Sequence, residues 1–168
     1  MRKIIVILSL VALAAVAVVF YLSFWAKPVQ EKEHFIVGIV SYGGAHEEAI
    51  EGLKDGLSEL GYEEGRNISY ITVNAEGSLD KVRTAAVGFV EAGADAVYSI
   101  TTPITQEVMK SVSDRPVVFN IVGDPVGAGI VQSWQSSGKN STGCSNYVGQ
   151  TGPKRLEILK TVLPEVKN

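Results

Sequence analysis

The chain has 168 residues, 46% of them hydrophobic, and a formal charge of −3, which is the size of about one globular domain. Three of its 15 basic residues (Arg2, Lys3 and Lys27) flank an opening apolar segment. The remaining 12 face 18 acidic residues, a net −6 over residues 28–168, which excludes the basic face that nucleic-acid binding needs; a single cysteine, Cys144, excludes an intrachain disulfide and any cysteine-based metal site.

Residues 4–25 carry no charge. As a helix they would run about 33 Å at ~1.5 Å per residue, enough to cross a hydrocarbon core. Tyr21, Phe24 and Trp25 stand where an interfacial aromatic belt lies. The segment is longer than a secretory signal's apolar region, and cleavage after Ala26 or Ser23 would put Phe24 or Tyr21 where a small side chain is wanted. No cysteine follows it for lipid attachment. Residues 1–27 therefore read as a membrane anchor or uncleaved signal, with the soluble part outside the cytoplasm, and residues 28–34 as a polar linker.

Residues 35–40 read as a strand buried on both faces. After the loop Ser41-Tyr42-Gly43-Gly44-Ala45, the spacing of Ala49, Ile50, Leu53, Leu57 and Leu60 predicts a helix over 46–60, stopped by Gly61. Residues 67–73 read as a second strand. Ser78 caps a second helix, with Asp80 in its first turn; Leu79, Val82, Ala85, Ala86, Phe89 and Val90 form its apolar face, and Gly93 ends it. Residues 95–100 are a third strand. Thr102 as cap and Pro103 at the first helical position open a third helix, to about Val112. Residues 116–122 are a fourth strand, apolar from Val117 to Val122 except at Asn120, and Gly123-Asp124-Pro125 breaks it. Residues 141–145 are a short fifth strand, and 153–163 a helix that stops at Pro164. Alternating strands and helices of these lengths imply right-handed βαβ units and a parallel sheet.

Four loops follow presumed strands and gather on one sheet edge, where open α/β sheets bind ligands. Their candidate contacts are Ser41, Tyr42, Thr101, Thr102, Asp124, Ser145 and Asn146, a set of hydroxyls, an amide, a carboxylate and a phenol that suits a polar small molecule with an apolar or aromatic part. Asp124 either accepts a ligand ammonium or hydroxyl, or folds back on its own turn, as Asp before a turn proline commonly does. Cys144 reads as a small buried hydrophobe rather than a reactive thiol. The glycines match neither a dinucleotide fingerprint nor a P-loop. Glu47, Glu48, Glu51, Asp55 and Glu59 read as a solvated helix face. His34 and His46 have no partners that would make a metal site, and no nucleophile–base–orienter set can be assembled. Neither a cofactor nor an enzyme activity is expected.

Several stretches in order resemble the substrate-binding proteins of ABC transporters of the tryptophan/tyrosine-binding type. They are residues 52–68 (Gly-Leu-Lys-Asp-Gly-Leu-Ser-Glu-Leu-Gly-Tyr-Glu-Glu-Gly-Arg-Asn-Ile), 95–103 (Asp-Ala-Val-Tyr-Ser-Ile-Thr-Thr-Pro), 116–131 (Pro-Val-Val-Phe-Asn-Ile-Val-Gly-Asp-Pro-Val-Gly-Ala-Gly-Ile-Val), 140–146 (Asn-Ser-Thr-Gly-Cys-Ser-Asn) and 156–167 (Leu-Glu-Ile-Leu-Lys-Thr-Val-Leu-Pro-Glu-Val-Lys). The resemblance implies that residues 35–168 are the first lobe only, a flavodoxin-like α/β lobe of a type I periplasmic binding protein, truncated at a helix directed towards a missing second lobe. It implies an amino acid or similar small solute as ligand and an ABC permease in the membrane as partner. Asn146 stands where an acidic residue is often expected. A membrane-anchored sensor or protein-interaction module derived from such a lobe is the alternative.

Overall fold

The structure, a computed structural model, describes residues 34–165 together with Val16, Val18 and Tyr21. Apart from those three residues, the membrane-spanning helix expected over 4–25 lies outside the described residues, as does the linker up to residue 33. Among the described residues no helix is long and apolar enough to cross a membrane. The architecture below belongs to the unit Glu33–Asn168.

Five strands, β1 (Phe35–Ser41), β2 (Ile68–Asn74), β3 (Ala96–Ile100), β4 (Val117–Val122) and β5 (Ser141–Ser145), alternate with four helices. These are α1 (Glu47–Glu59), α2 (Leu79–Glu91), α3 (Thr102–Ser111) and α4 (Val148–Val162). All neighbouring strands are parallel, in the order β2-β1-β3-β4-β5, which is the flavodoxin-like doubly wound order.

Successive side chains on a strand face opposite ways, so each strand feeds two cores. Val40 and Val97 pack with Val82, Ala86 and Phe89 of α2 and Ile104 and Val108 of α3. Their chain neighbours Ile39 and Tyr98 pack on the other face against Ala49, Ile50 and Leu53 of α1. The sheet is thus sandwiched between α1 and the α2–α3 pair. Phe89 is 1% exposed, and burying a side chain of that size stabilises by roughly 1.5–3 kcal/mol. It lies across Gly38 of β1, where an added Cβ would stand 2.5 Å from the Phe89 ring, so only glycine lets α2 approach so closely.

Several boundaries follow the expected chemistry. The Ser78 hydroxyl accepts the Lys81 amide at 3.3 Å and caps α2. Gly61, at φ +90°, takes the left-handed conformation that ends α1. Three expectations need correction. Thr102 is the first residue of α3, not its cap; the cap position is Thr101, and it makes no side-chain capping bond. The last helix starts at Val148 rather than Pro153, which sits inside it. Cys144 is exposed, because β5 is an edge strand covered on one side only, by β4.

Candidate functional site

All five strands run the same way, so the loops after them share one edge. The chain leaves β1 through α1 towards β2, and leaves β3 through α3 towards β4. These opposed departures open a crevice between β1 and β3, the switch point where doubly wound sheets take ligands.

Around Gly123 the structure brings together residues from three loops. The Gly123 amide donates to Thr102 Oγ1 at 3.4 Å, and the Ser145 hydroxyl donates to the Gly123 carbonyl at 3.3 Å. The Asn146 amide donates to Val122 O at 3.2 Å, and its side-chain oxygen lies over Gly123. Ser145 Oγ also accepts from the Tyr147 amide at 3.0 Å. Thr102, Ser145 and Asn146 therefore form one cluster. Thr101 precedes Thr102 in the chain, and its amide donates to Asn120 O at 2.9 Å.

The other candidates are placed differently. Ser41 is buried at the end of β1, where its carbonyl accepts from Ala75. Tyr42 leans on the core shared by α2 and α3. Asp124 closes its own turn through Oδ1, which accepts the Gly127 amide at 2.9 Å, and the residue stays exposed.

Strain marks this edge. The four non-glycine residues described with positive φ are Glu76 (48°), Thr101 (86°), Ile121 (56°) and Tyr147 (55°), and each lies at the carboxyl end of a strand. Such conformations cost of order 1–3 kcal/mol each and persist only where surroundings enforce them. At Ile121, a β-branched residue for which positive φ is an outlier, the enforcing group is Asn120. The register slips between Phe119 and Val122, Asn120 Oδ1 accepts the Ile121 amide at 2.8 Å, and Asn120 Nδ2 donates to the Tyr98 hydroxyl at 2.7 Å. Burial pushes the Tyr98 phenol above its usual range, and the bond from Asn120 partly offsets this.

Two buried polar atoms near the β1–β3 crevice have no partner, Thr101 Oγ1 and His46 Nδ1. Buried polar groups are normally bonded, so these are sites of unused hydrogen-bonding capacity. Among the described residues no three His, Cys, Asp or Glu side chains converge as metal ligands. The edge therefore offers hydroxyls, amides and backbone groups, suited to binding and orienting a polar molecule.

Sequence reasoning passed over Asn120, Tyr98 and Trp134. Asn120 carried a visible signal, being the one polar residue in an apolar strand. Trp134 carried none, because its place beside Tyr147, with ring centroids 5.2 Å apart, depends on the path of the 126–140 loop.

The chain is 34% identical over 121 residues to a tyrosine-binding protein of Clostridioides difficile (strain R20291), a match covering 72% of this chain and 34% of that protein. Among solved structures, it is similar to an ABC domain in complex with L-Trp from Streptococcus pneumonia, with 31% identity, TM-score 0.63, and 67% of this chain against 38% of that one. A ligand-free, open substrate binding protein with adhesive properties from Clostridium difficile matches at 29% identity and TM-score 0.69, covering 79% of this chain and 45% of that one. The chain spans between about a third and under half the length of these relatives. The sequence profile of the ABC transporter substrate binding protein family matches residues 35–168, and with a five-stranded parallel lobe of the same fold the chain belongs to that family.

Proposed function

We propose that residues 35–165 form a lobe of an extracytoplasmic solute-binding component of an ABC-type importer, with an amino acid as ligand and a membrane permease as partner. The observation that carries this reading is the meeting of Thr102, Gly123, Ser145 and Asn146 at the carboxyl edge, beside the unpartnered Thr101 hydroxyl. The ligand contacts are then Ser41, Tyr42, Thr101, Thr102, Asp124, Ser145 and Asn146. The names of the relatives, one tyrosine-binding and one holding L-Trp, support an aromatic amino acid. The uncharged segment 4–25 holds the lobe to the membrane, facing away from the cytoplasm.

Isothermal calorimetry on the full chain in detergent, with a panel of L-amino acids, tests the binding reading. Saturable heat with an aromatic amino acid is expected. Absence of heat for every member, from a chain folded by circular dichroism, overturns it.

The second reading is a membrane-anchored sensor or interaction module. It is favoured by α4, which leaves Leu156, Ile158, Leu159, Val162 and Leu163 exposed at 45–69%. Under that reading the calorimetry shows no heat, and substituting those residues abolishes a protein contact.

A further inference from the structure

A cavity of about 210 Å³ opens beside the cluster at Gly123, walled by Phe119, Pro125, Val131, Trp134 and Ser145. It shares Ser145 with that cluster. A closed apolar cavity of roughly 150 Å³ is enough to hold benzene, so this one has room for a single aromatic ring.

The chemistry of its walls is selective. None of the side chains lining it is Asp, Glu, Lys, Arg or His. Nothing there would pair with an ammonium or a carboxylate, and burying either without a partner is costly. Two of its serine hydroxyls, Ser133 and Ser145, are already engaged, while Gln135, Ser136 and Thr142 line its polar side. Ser133 Oγ donates to Ser136 O at 3.1 Å and accepts the Ser136 amide at 3.0 Å, and Ser145 Oγ is shared between Gly123 and Tyr147. The apolar side, formed by Phe119, Pro125, Val131 and Trp134, is where a ring would pack.

Trp134 is the exposed aromatic residue of the lining. It sits at the tip of a turn closed by Gln132 N to Ser137 O at 2.7 Å and Ser133 N to Ser136 O at 3.1 Å. It is 51% exposed, and its ring meets Tyr147 edge-on, at 5.2 Å and 68° between planes. A half-exposed indole on a rigid turn is a ready partner for another aromatic ring, which is worth roughly 0.5–1.5 kcal/mol beyond the area buried. The dimensions also agree. From β3, which carries the Thr101–Thr102 loop, to β5 is two strand spacings, about 9.5 Å. An extended aromatic amino acid spans that interval with its polar end at the loop and its ring at the cavity.

We propose that this cavity is the subsite for the aromatic side chain of an amino-acid ligand, with Trp134 as the face against which the ring packs. The assignment rests on the solute-binding reading above and adds to it the residue that sets aromatic over aliphatic preference.

The chain contains two tryptophans, Trp25 and Trp134, so Trp25→Phe in the full chain leaves Trp134 as the sole reporter. Titrating this protein with L-phenylalanine is expected to change the Trp134 emission saturably, at the Kd found by calorimetry, while L-alanine leaves it unchanged. Trp134→Ala is expected to weaken L-phenylalanine binding about tenfold, the equivalent of ~1.4 kcal/mol. Trp134→Phe is expected to keep most of the affinity, and Trp134→Ala to leave L-alanine affinity unaltered. If L-phenylalanine binds with unchanged affinity to Trp134→Ala and leaves Trp134 emission unmoved, the subsite is wrong while the solute-binding reading stands. If no aromatic amino acid binds a folded chain at all, both fall together.

Discussion

Asn120 shows how one side chain sets the shape of the candidate site. Its carbonyl receives the Thr101 amide, its Oδ1 holds Ile121 in a left-handed conformation, and its Nδ2 anchors the buried Tyr98 hydroxyl. Replacing it with alanine leaves the Ile121 amide and the Tyr98 hydroxyl without those partners. An unsatisfied buried group costs roughly 1–3 kcal/mol, so Asn120→Ala is expected to lower unfolding stability by about that much in urea titration. Tyr98→Phe, which removes the bond from Asn120 and a long 3.4 Å one to Ala49 O but leaves the Ile121 amide bonded, is expected to cost less. The sequence marks Asn120 as unusual but gives no hint of its role, because that role depends on a register slip between strands distant in sequence. Asp124 shows the reverse. Its residue type admits two uses, and the 2.9 Å bond to the Gly127 amide shows the local one in place. Cys144 reads as a core residue by composition, yet the edge position of β5 exposes it.

Among the elements, the strands and α2 follow their sequence signals closely, because apolar runs and a serine cap act locally. Contact between α2 and α3 adds what periodicity cannot show. Glu107 of α3 is 3% exposed, with Arg83 of α2 at 2.8 Å and Lys110 at 2.6 Å. The hydrogen bond from Lys110 and then the contact with Arg83 hold its carboxyl below the usual glutamate range, although burial opposes this. The folded carboxyl thus binds its proton less readily than the unfolded one. The stabilisation is present above the ordinary glutamate range and is lost as pH falls through the lower folded-state value. Glu107→Gln is therefore expected to unfold at a lower temperature than the unsubstituted chain near neutral pH, with the gap closing in acid; thermal melts across that range check this. Helix starts were the least legible boundaries. The sequence pattern makes Thr102 a cap and Pro153 a first residue, whereas α3 begins at Thr102 and α4 begins five residues upstream of Pro153. Proline is compatible with several positions near a helix start, so its presence alone does not locate the first residue.

Stability is unevenly spread over the whole lobe. β1 and β3 lie in the middle of the sheet with cores on both faces, whereas the described side chains of α4 are exposed apart from half-buried Thr151. An isolated helix of about this length is marginal in water, and Pro153 removes one of its backbone bonds. Hydrogen exchange is expected to show the α4 amides exchanging orders of magnitude faster than those of β1 and β3, and equal protection would contradict that exposure of α4. By itself, the sequence determined the alternation of strands and helices, the parallel sheet, the family and the edge on which the loops collect. The family rests on the resemblance of several stretches in order, and the others on local periodicity and on the fixed hand of βαβ crossovers, all written in consecutive residues. Only the tertiary structure decided which loop residues meet around Gly123, how Asn120 enforces the strain beside it, and where Trp134 stands. Those depend on strand register and on the close approach of segments far apart in the chain, which no local pattern encodes.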